Sequence, residues 1–206
     1  MQLQFEPSLT SFLRRFWCLG RKAALAVLAA IISTTCAWAD GEWQHTFFSG
    51  SLTEAAWEKA INPSEVRFAG SGLVGAGLGW DRAFGSRPLR YGFEAQAVKH
   101  FGKQDHLELN LPLVLRYSRN LKQPFEFSGA AFGLGLSYAT KVPQVEVDRS
   151  GASQRLFFYW MAEVEFATRA PDTSTYFRLH HRSDGFGILD VDSGSTALVL
   201  GWRKRL

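Results

Sequence analysis

A histidine and a serine stand two residues apart in a stretch that alternates like a β-strand. Residues Tyr176–Gly185 read YFRLHHRSDG, and side chains two apart on a strand point the same way, so His181 and Ser183 share a face. A serine hydroxyl needs a neighbouring base to accept its proton before it can attack an ester, and imidazole is such a base. The spacing therefore predicts a nucleophile and a general base. The alternative interpretation is a polar strand end with a histidine at its rim.

The other histidines and the glycine-rich stretch predict no further chemistry. His45, His100 and His106 are scattered and lack metal-ligand spacing, so we expect no metal site. Gly70–Gly79 alternates as a strand does and no helix follows it, which argues against a phosphate-binding loop. No cofactor is expected.

Period-two alternation dominates the chain beyond its first 39 residues. It is clearest in Leu107–Tyr117, where every second residue is Leu or Tyr and the residues between them include glutamate, asparagine and arginine. The pattern recurs in Tyr91–His100, Ala130–Tyr138 and Leu156–Thr168. Such alternation indicates antiparallel strands with one apolar and one polar face.

Two architectures fit these strands: a soluble barrel or sandwich with the apolar face inside, and a transmembrane barrel with that face toward lipid. The face opposite the apolar one carries charged and amide residues and many glycines, which suits a narrow polar lumen. The apolar faces extend over about 9–11 residues, the length of a tilted membrane strand. The sequence therefore favours an all-β, eight-stranded antiparallel transmembrane β-barrel of outer-membrane type. The residues expected to form a polar network in its lumen are Glu94, Gln96, Glu108, Arg116, Glu163 and Glu165.

Eight strands can be delimited from the alternation and the turn residues. They are predicted at 43–52, 71–83, 90–101, 107–118, 125–139, 155–168, 175–183 and 195–206. The connections after the second, fourth and sixth strands are short, and those after the first, fifth and seventh are long. This asymmetry between the two ends is typical of outer-membrane barrels. Thr53–Ile61 (TEAAWEKAI) is compatible with a short helix in the first loop.

The first 39 residues have the composition of a secretory signal peptide. Four basic residues precede the apolar run Ala23–Ser33, and Ala37–Ala39 forms a small-x-small cleavage site. An N-terminal membrane anchor is the alternative, but the uncharged run has 17 residues and a span needs about 20 apolar ones. Residues 1–39 are therefore assigned to a signal peptide and 40–206 to a single barrel domain.

Removing this segment changes the charge and the cysteine content. The 206-residue chain has 23 Lys and Arg against 19 Asp and Glu, whereas residues 40–206 have 19 against 18, so the net charge falls from +4 to about +1. Near neutrality removes the electrostatic case for binding nucleic acid. Cys18 and Cys36 both leave with the segment, so the barrel domain has no disulfide or thiolate chemistry.

The stretch Phe177–Gly194 (FRLHHRSDGFGILDVDSG), on the penultimate strand of a small secreted barrel, resembles the lipid A 3-O-deacylases, the PagL-like outer-membrane acyl hydrolases. The resemblance covers the architecture of residues 40–206, while its specific residues lie only near the C-terminus. It implies that Ser183 is the nucleophile and His181 the general base of a Ser–His–acid triad. It also implies the substrate, an ester-linked acyl chain at the 3-position of lipid A in lipopolysaccharide.

The sequence departs from this family at the acid and beside the nucleophile. The family glutamate at the start of the last strand is missing, and Thr196 occupies its position. Asp192 is expected to supply the acid from the loop, with Asp190 or the Thr196 position as alternatives, or the histidine works without an orienting acid. The family asparagine after the serine is Asp184, so the backbone N–H groups of Asp184 and Gly185 are expected to form the oxyanion hole.

Functions of different classes fit these residues. The first is an outer-membrane carboxylic-ester hydrolase that acts on lipid A. The second, motivated by the missing glutamate, is a catalytically degenerate structural or lipid-binding barrel of the same fold, and a soluble periplasmic lipid carrier is a third. The expected location is the outer membrane of a Gram-negative cell, the expected partner is lipopolysaccharide, and a homodimer stays open.

Overall fold

A computed structural model of the protein describes residues 41–54, 57–62, 64–119, 124–185 and 187–206. Within these ranges the chain forms one closed antiparallel barrel, in which the strands pair in sequence order and the last strand pairs with the first. The predicted signal peptide lies outside the described residues. The predicted fold class, an eight-stranded barrel of outer-membrane type, is confirmed.

The strands alternate with turns and loops, two of which carry a short helix. The elements are β1 (Glu42–Thr53), α1 (Trp57–Ala60), β2 (Phe68–Ala83), β3 (Leu89–Gly102), β4 (Leu107–Ser118), β5 (Phe127–Ala139), α2 (Gln144–Ser150), β6 (Leu156–Ala167), β7 (Thr173–Ser183) and β8 (Gly194–Arg205). The loops after β1, β5 and β7 lie at one end of the barrel, which is the outer end in barrels of this type. Neither helix in the described part of the chain is long or apolar enough to cross a membrane.

The predicted strand limits agree with the observed ones to within three residues, and the largest difference is the earlier start of β2 at Phe68. The first loop contains a one-turn helix inside the segment where one was expected. The helix α2 was not predicted, because seven residues with two buried positions are too few to show a helical period. It ends at Gly151, whose left-handed backbone (φ 78°) lets its N–H bond to the Val147 carbonyl at 2.8 Å.

The strand β4 shows how the alternation produces two faces. Its odd-numbered residues from Leu107 to Leu115 point outward, and Leu113 is 74% exposed. Its even-numbered residues, including Glu108 and Arg116, point into the lumen and are buried. An uninterrupted leucine surface of this kind is stable against lipid chains and not against water.

A network of buried ion pairs fills the half of the lumen that lies away from the long loops. Glu163 accepts hydrogen bonds from Arg116 Nη1 at 3.0 Å, Arg178 Nε at 2.6 Å and Arg203 Nη2 at 2.9 Å. Arg178 also bonds to Glu94 at 2.7 Å, and Arg116 bonds to Glu165 at 2.9 Å. Five of the six residues predicted to form a polar network are joined in this way, with Gln96 bonded to Glu94, and the network also includes Asp81, Arg178 and Arg203. The sixth, Glu108, is buried in the lumen and bonds instead to His100 and His180.

Glycines on neighbouring strands leave room for these large lumen side chains. A Cβ atom on Gly201 of β8 would collide with the Tyr176 ring, and one on Gly77 of β2 would lie 2.6 Å from Thr46 Oγ1. A Cβ on Gly133 of β5 would lie 3.0 Å from the Met161 methyl group. The glycines on the lumen-facing side of the strands thus leave space for a polar core inside an eight-stranded barrel.

The helix α2 closes the outer end of the lumen. Val145 joins the apolar cluster of the barrel interior that includes Leu52 and Leu73. The neighbouring Glu146 is fully buried and accepts hydrogen bonds from Arg182 Nε at 3.0 Å and Ser195 Oγ at 2.6 Å. The helix therefore ties the long loop after β5 to β7 and β8, the strands that carry the candidate catalytic residues.

Candidate functional site on the lipid-facing side of β7

His181 and Ser183 lie at the outer end of β7 and point away from the lumen, as the alternation predicted. Their neighbours on β7, His180 and Arg182, point inward and bond to lumen carboxylates. In the ladder His181 stands between Trp160 of β6 and a residue of β8, and it is 7% exposed. The site thus lies on the outer surface of the barrel, beside the loop that follows β7.

A hydrogen bond joins His181 to the last strand. His181 Nδ1 and Thr196 Oγ1 are 2.8 Å apart, and Thr196 is the residue of β8 that pairs with His181. When Nδ1 carries the imidazole proton and donates to this oxygen, Nε2 keeps a lone pair that can accept a proton. A carboxylate at this position can only accept, so it enforces this tautomer, whereas a hydroxyl can also donate. Thr196 therefore orients the ring and selects its tautomer less strictly than a glutamate does.

The hydroxyl of Ser183 lies at the end of the same strand face. Its Oγ accepts a hydrogen bond from the Gly185 N–H at 3.4 Å, and within the described residues it makes none with His181. Catalytic hydrogen bonds are often unformed without substrate, so this gap is compatible with a base that engages the serine later. Gly185 has a φ of +74°, and a Cβ there would collide with the Phe158 ring, so the turn requires glycine.

The two backbone N–H groups predicted for the oxyanion hole have different hydrogen-bond partners. The Asp184 N–H donates to the Ser193 carbonyl at 3.2 Å, so it is engaged in closing the loop after β7. The Asp184 carboxylate accepts a bond from Gly187 N at 2.6 Å and stabilises the same loop. The Gly185 N–H points at Ser183 Oγ. Gly185 is therefore the better placed of the two donors for a negative charge that develops beside the serine.

The loop carboxylates lie apart from the histidine. Asp190 and Asp192 are exposed, and in the described part of the chain no hydrogen bond or ion pair joins either of them to His181. Partial burial lowers the pKa of Arg149, while the carboxylates of Glu146 and Asp192 act in the opposite direction. Asp192 therefore interacts electrostatically with Arg149 of α2. Of the three alternatives for the third triad position, Thr196 is the one in contact with the imidazole.

An aromatic ring from β6 packs against His181, and a ring from the first loop packs against that ring in turn. The Trp160 ring lies 4.8 Å from the imidazole, centroid to centroid, and Trp57 of α1 contacts Trp160 edge to face at 5.6 Å. The first loop therefore reaches across to β6 beside the candidate site. The sequence contained a tryptophan in a short helical segment, but nothing in it indicated that α1 would lie over β6.

An apolar groove of about 610 Å³ opens on the outer surface directly below the histidine. The first loop forms one wall of this groove and outward side chains of β6, β7 and β8 form its floor. The apolar lining residues are Ala60, Ile61, Val66, Ala162, Val164, Phe177, Leu179, Leu198, Val199 and Leu200. The row formed by Ala162, Leu179 and Leu198 is the next outward-facing row to the one that contains His181. The groove can take a hydrocarbon chain whose polar end lies at the imidazole.

Comparison with protein-family models and with curated proteins finds no match to this chain. Among solved structures, the chain is similar to the outer membrane enzyme PagL, with a TM-score of 0.50 and 12% identity over 78% of this chain and 98% of that chain. Neisserial surface protein A (NspA) matches with a TM-score of 0.47 and 11% identity over 80% of this chain and 97% of its own. At 12% identity the likeness to PagL shows a shared outer-membrane barrel fold.

Proposed function

We propose that this chain is an outer-membrane esterase that removes an ester-linked acyl chain from lipid A. Ser183 is the nucleophile, His181 is the general base, and Thr196 holds the imidazole in place of a carboxylate. The observation that carries the proposal is the 2.8 Å hydrogen bond between His181 Nδ1 and Thr196 Oγ1, made on the lipid-facing side of the barrel beside an outward serine. A hydroxyl and a base with this orientation meet substrates that lie in the membrane.

The location of the pair supports a lipid substrate over a soluble one. The site is at the end of the barrel with long loops, which is the level of the outer-leaflet head groups. The apolar groove leads from His181 along β7 toward the membrane interior and is lined by Leu179 and Phe177. A lipid whose ester bond lies at the head-group level can reach Ser183 while its chain occupies the groove.

The proposed reaction proceeds in two steps. Ser183 Oγ attacks the ester carbonyl carbon while His181 Nε2 accepts the hydroxyl proton, and a tetrahedral oxyanion forms. The C–O bond to the sugar then breaks, and the imidazolium returns the proton to the departing sugar oxygen. A water molecule, deprotonated by the same imidazole, then attacks the acyl-serine carbonyl. The bond to Ser183 Oγ breaks, the imidazolium returns the proton to that oxygen, and a fatty acid is released. The Gly185 N–H supplies a hydrogen bond to the oxyanion in both steps.

A second candidate function is a barrel of the same fold that binds lipid without hydrolysing it. It is favoured by the threonine at the third triad position and by the missing contact between the serine and the histidine. Mass spectrometry of lipid A from cells that make the wild-type protein separates the two functions. Loss of one acyl chain is expected for the esterase, and an unchanged lipid A profile is expected for the binding barrel.

Replacing Thr196 tests its role as the residue that orients His181. In Thr196→Val the side chain keeps its shape and loses the oxygen, so we expect kcat/KM to fall about 10–100-fold, as when other orienting partners of histidine are removed. Thr196→Ser keeps the oxygen and is expected to keep most of the activity. The assay is ester hydrolysis by purified protein in detergent micelles. A valine variant as active as wild type would remove Thr196 from the mechanism.

Filling the groove tests whether it holds the acyl chain. We expect Ala162→Phe to block the floor of the groove. If the phenyl ring displaces two methylene groups of the bound acyl chain from the groove, transition-state binding weakens by about 1.6 kcal/mol. This corresponds to a roughly 15-fold lower kcat/KM for a fourteen-carbon ester. A four-carbon ester should be hydrolysed at nearly the wild-type rate. Ala95→Phe, on the outward face of β3, is the matched control. An equal loss for both esters would contradict the assignment of the groove.

A further inference from the structure

Two histidines and a glutamate meet inside the outer end of the lumen. His100 lies near the end of β3, His106 immediately precedes β4, and Glu108 is the second residue of β4. One potential ligand atom from each residue lies within 4.8 Å of those of the other two. The two imidazole rings stack with their centroids 4.4 Å apart and their planes 10° from parallel, so the His106 ring has to turn about its side-chain bonds before both rings can point a nitrogen at one ion. The short turn after β3 thus gathers residues that sequence spacing alone did not connect.

Further hydrogen bonds hold this cluster in position. Glu108 Oε2 lies 2.9 Å from His100 Nε2, and Glu108 Oε1 lies 2.9 Å from His180 Nε2. Gln104 Nε2 lies 2.9 Å from His100 Nδ1, and the Tyr159 hydroxyl lies 3.1 Å from His180 Nδ1. Such outer partners fix the orientation of imidazole and carboxylate ligands in protein metal sites.

His106 has a buried ring nitrogen without a hydrogen-bond partner. Its Nε2 atom is inaccessible to solvent and contacts no donor or acceptor among the described residues, and the side chain is 3% exposed. A neutral imidazole with an unpaired ring nitrogen is the form that binds metal ions. An unpaired buried nitrogen destabilises the fold, so a ligand that binds it is stabilising.

We propose that His100, His106 and Glu108 bind a divalent transition-metal ion, with Zn²⁺ as the best chemical match. Two imidazoles and one carboxylate are a ligand set that Zn²⁺ takes, with a fourth position for water, whereas Ca²⁺ and Mg²⁺ prefer sites made of oxygen atoms. The cation takes the place of the proton that His100 Nε2 and Glu108 Oε2 share. His100 then carries its proton on Nδ1, so the Gln104 amide has to turn its oxygen toward this N–H in place of the nitrogen that lies there at 2.9 Å.

The proposed ion ties β3 and β4 to β7 through Glu108 and His180. Its site faces the lumen, while Ser183 and His181 face lipid, so ion binding is separate from the hydrolysis proposed for the outer surface. A bound ion that is absent from the unfolded chain stabilises the barrel in proportion to its affinity. We therefore expect Zn²⁺ to raise the temperature at which the folded band disappears in a heat-modifiable gel, and a chelator to reverse this increase.

The direct test is a Co²⁺ titration of the purified protein, without a histidine tag, in detergent micelles. Cobalt in a site with these ligands absorbs visible light, so the expected result is a saturable absorption band that Zn²⁺ removes. His106→Ala is expected to weaken Co²⁺ binding at least ~100-fold. His45→Ala is the matched control, because His45 lies on the outer surface of β1 against Trp202, and it should bind Co²⁺ like wild type.

Three results would overturn this proposal. One is the absence of a saturable absorption band in the wild-type protein, which is decisive even if the His106→Ala variant does not fold. The second is equal Co²⁺ affinity in the His106→Ala and His45→Ala variants. The third is an unfolding temperature that Zn²⁺ raises equally in both variants, because the stabilisation would then arise elsewhere on the protein.

Discussion

Ser183→Ala is expected to reduce ester hydrolysis by about 10⁴-fold or more, because it removes the atom that forms the acyl bond. His181 and the Gly185 N–H would still be present, but without a nucleophile they cannot form an acyl intermediate. In cells, the variant should leave lipid A fully acylated, whereas wild-type protein should release one ester-linked chain. Mass spectrometry of extracted lipid A measures this difference directly.

Ser49→Ala is the matched control for this variant. Ser49 lies on the outward face of β1, opposite Leu200, and is remote from His181. Both variants must show the heat-dependent gel mobility of a folded barrel. Lipid A that is processed equally by wild type and Ser183→Ala would contradict the catalytic assignment. Hydrolysis that is lost in both variants would show that the assay responds to the barrel and not to the site.

Glu163→Gln is expected to lower the free energy of unfolding of the barrel by about 3–5 kcal/mol. Glu163 is the carboxylate that Arg116, Arg178 and Arg203 share, and all four side chains are buried. Glutamine keeps the shape and removes the negative charge, so one positive charge in the lumen loses its compensation. The penalty is large because a buried unpaired charge has little water to solvate it.

Urea unfolding followed by tryptophan fluorescence and gel mobility measures this change. Glu126→Gln provides the control, because Glu126 is exposed in a turn at the opposite end of the barrel from His181 and Ser183. A surface change of this kind is expected to alter stability by at most about 0.5 kcal/mol. A shift in the midpoint that is equal for both variants would show that the network contributes no more than a surface charge.

The strands and their two faces could be predicted because they depend on residues close together in the chain. In β4 each leucine is followed by a residue of the lumen face, and this alternation by itself placed Leu113 outside and Glu108 inside. The same rule separated His181 and Ser183, which face outward, from His180 and Arg182, which face the lumen. A period of two residues is a local property, so one sequence is enough to detect it.

The partners of these residues depend on strand register and loop position, which no local pattern contains. Which atom meets His181 Nδ1 was open between Asp192, Asp190 and the Thr196 position, and only the pairing of β7 with β8 brings Thr196 Oγ1 to it. The same is true of Trp57 above Trp160. Such contacts join residues far apart in the chain and arise when the barrel closes.

The sequence by itself predicted the barrel, the direction of each strand side chain and the shared outward face of the candidate serine and histidine. Only the tertiary structure decided which residue supports the histidine, and that His100 and His106 stack beside Glu108. The physical reason is that alternation is imposed by the backbone geometry of each strand, one residue after another. Side-chain contacts between strands are set by the register and closure of all eight strands together.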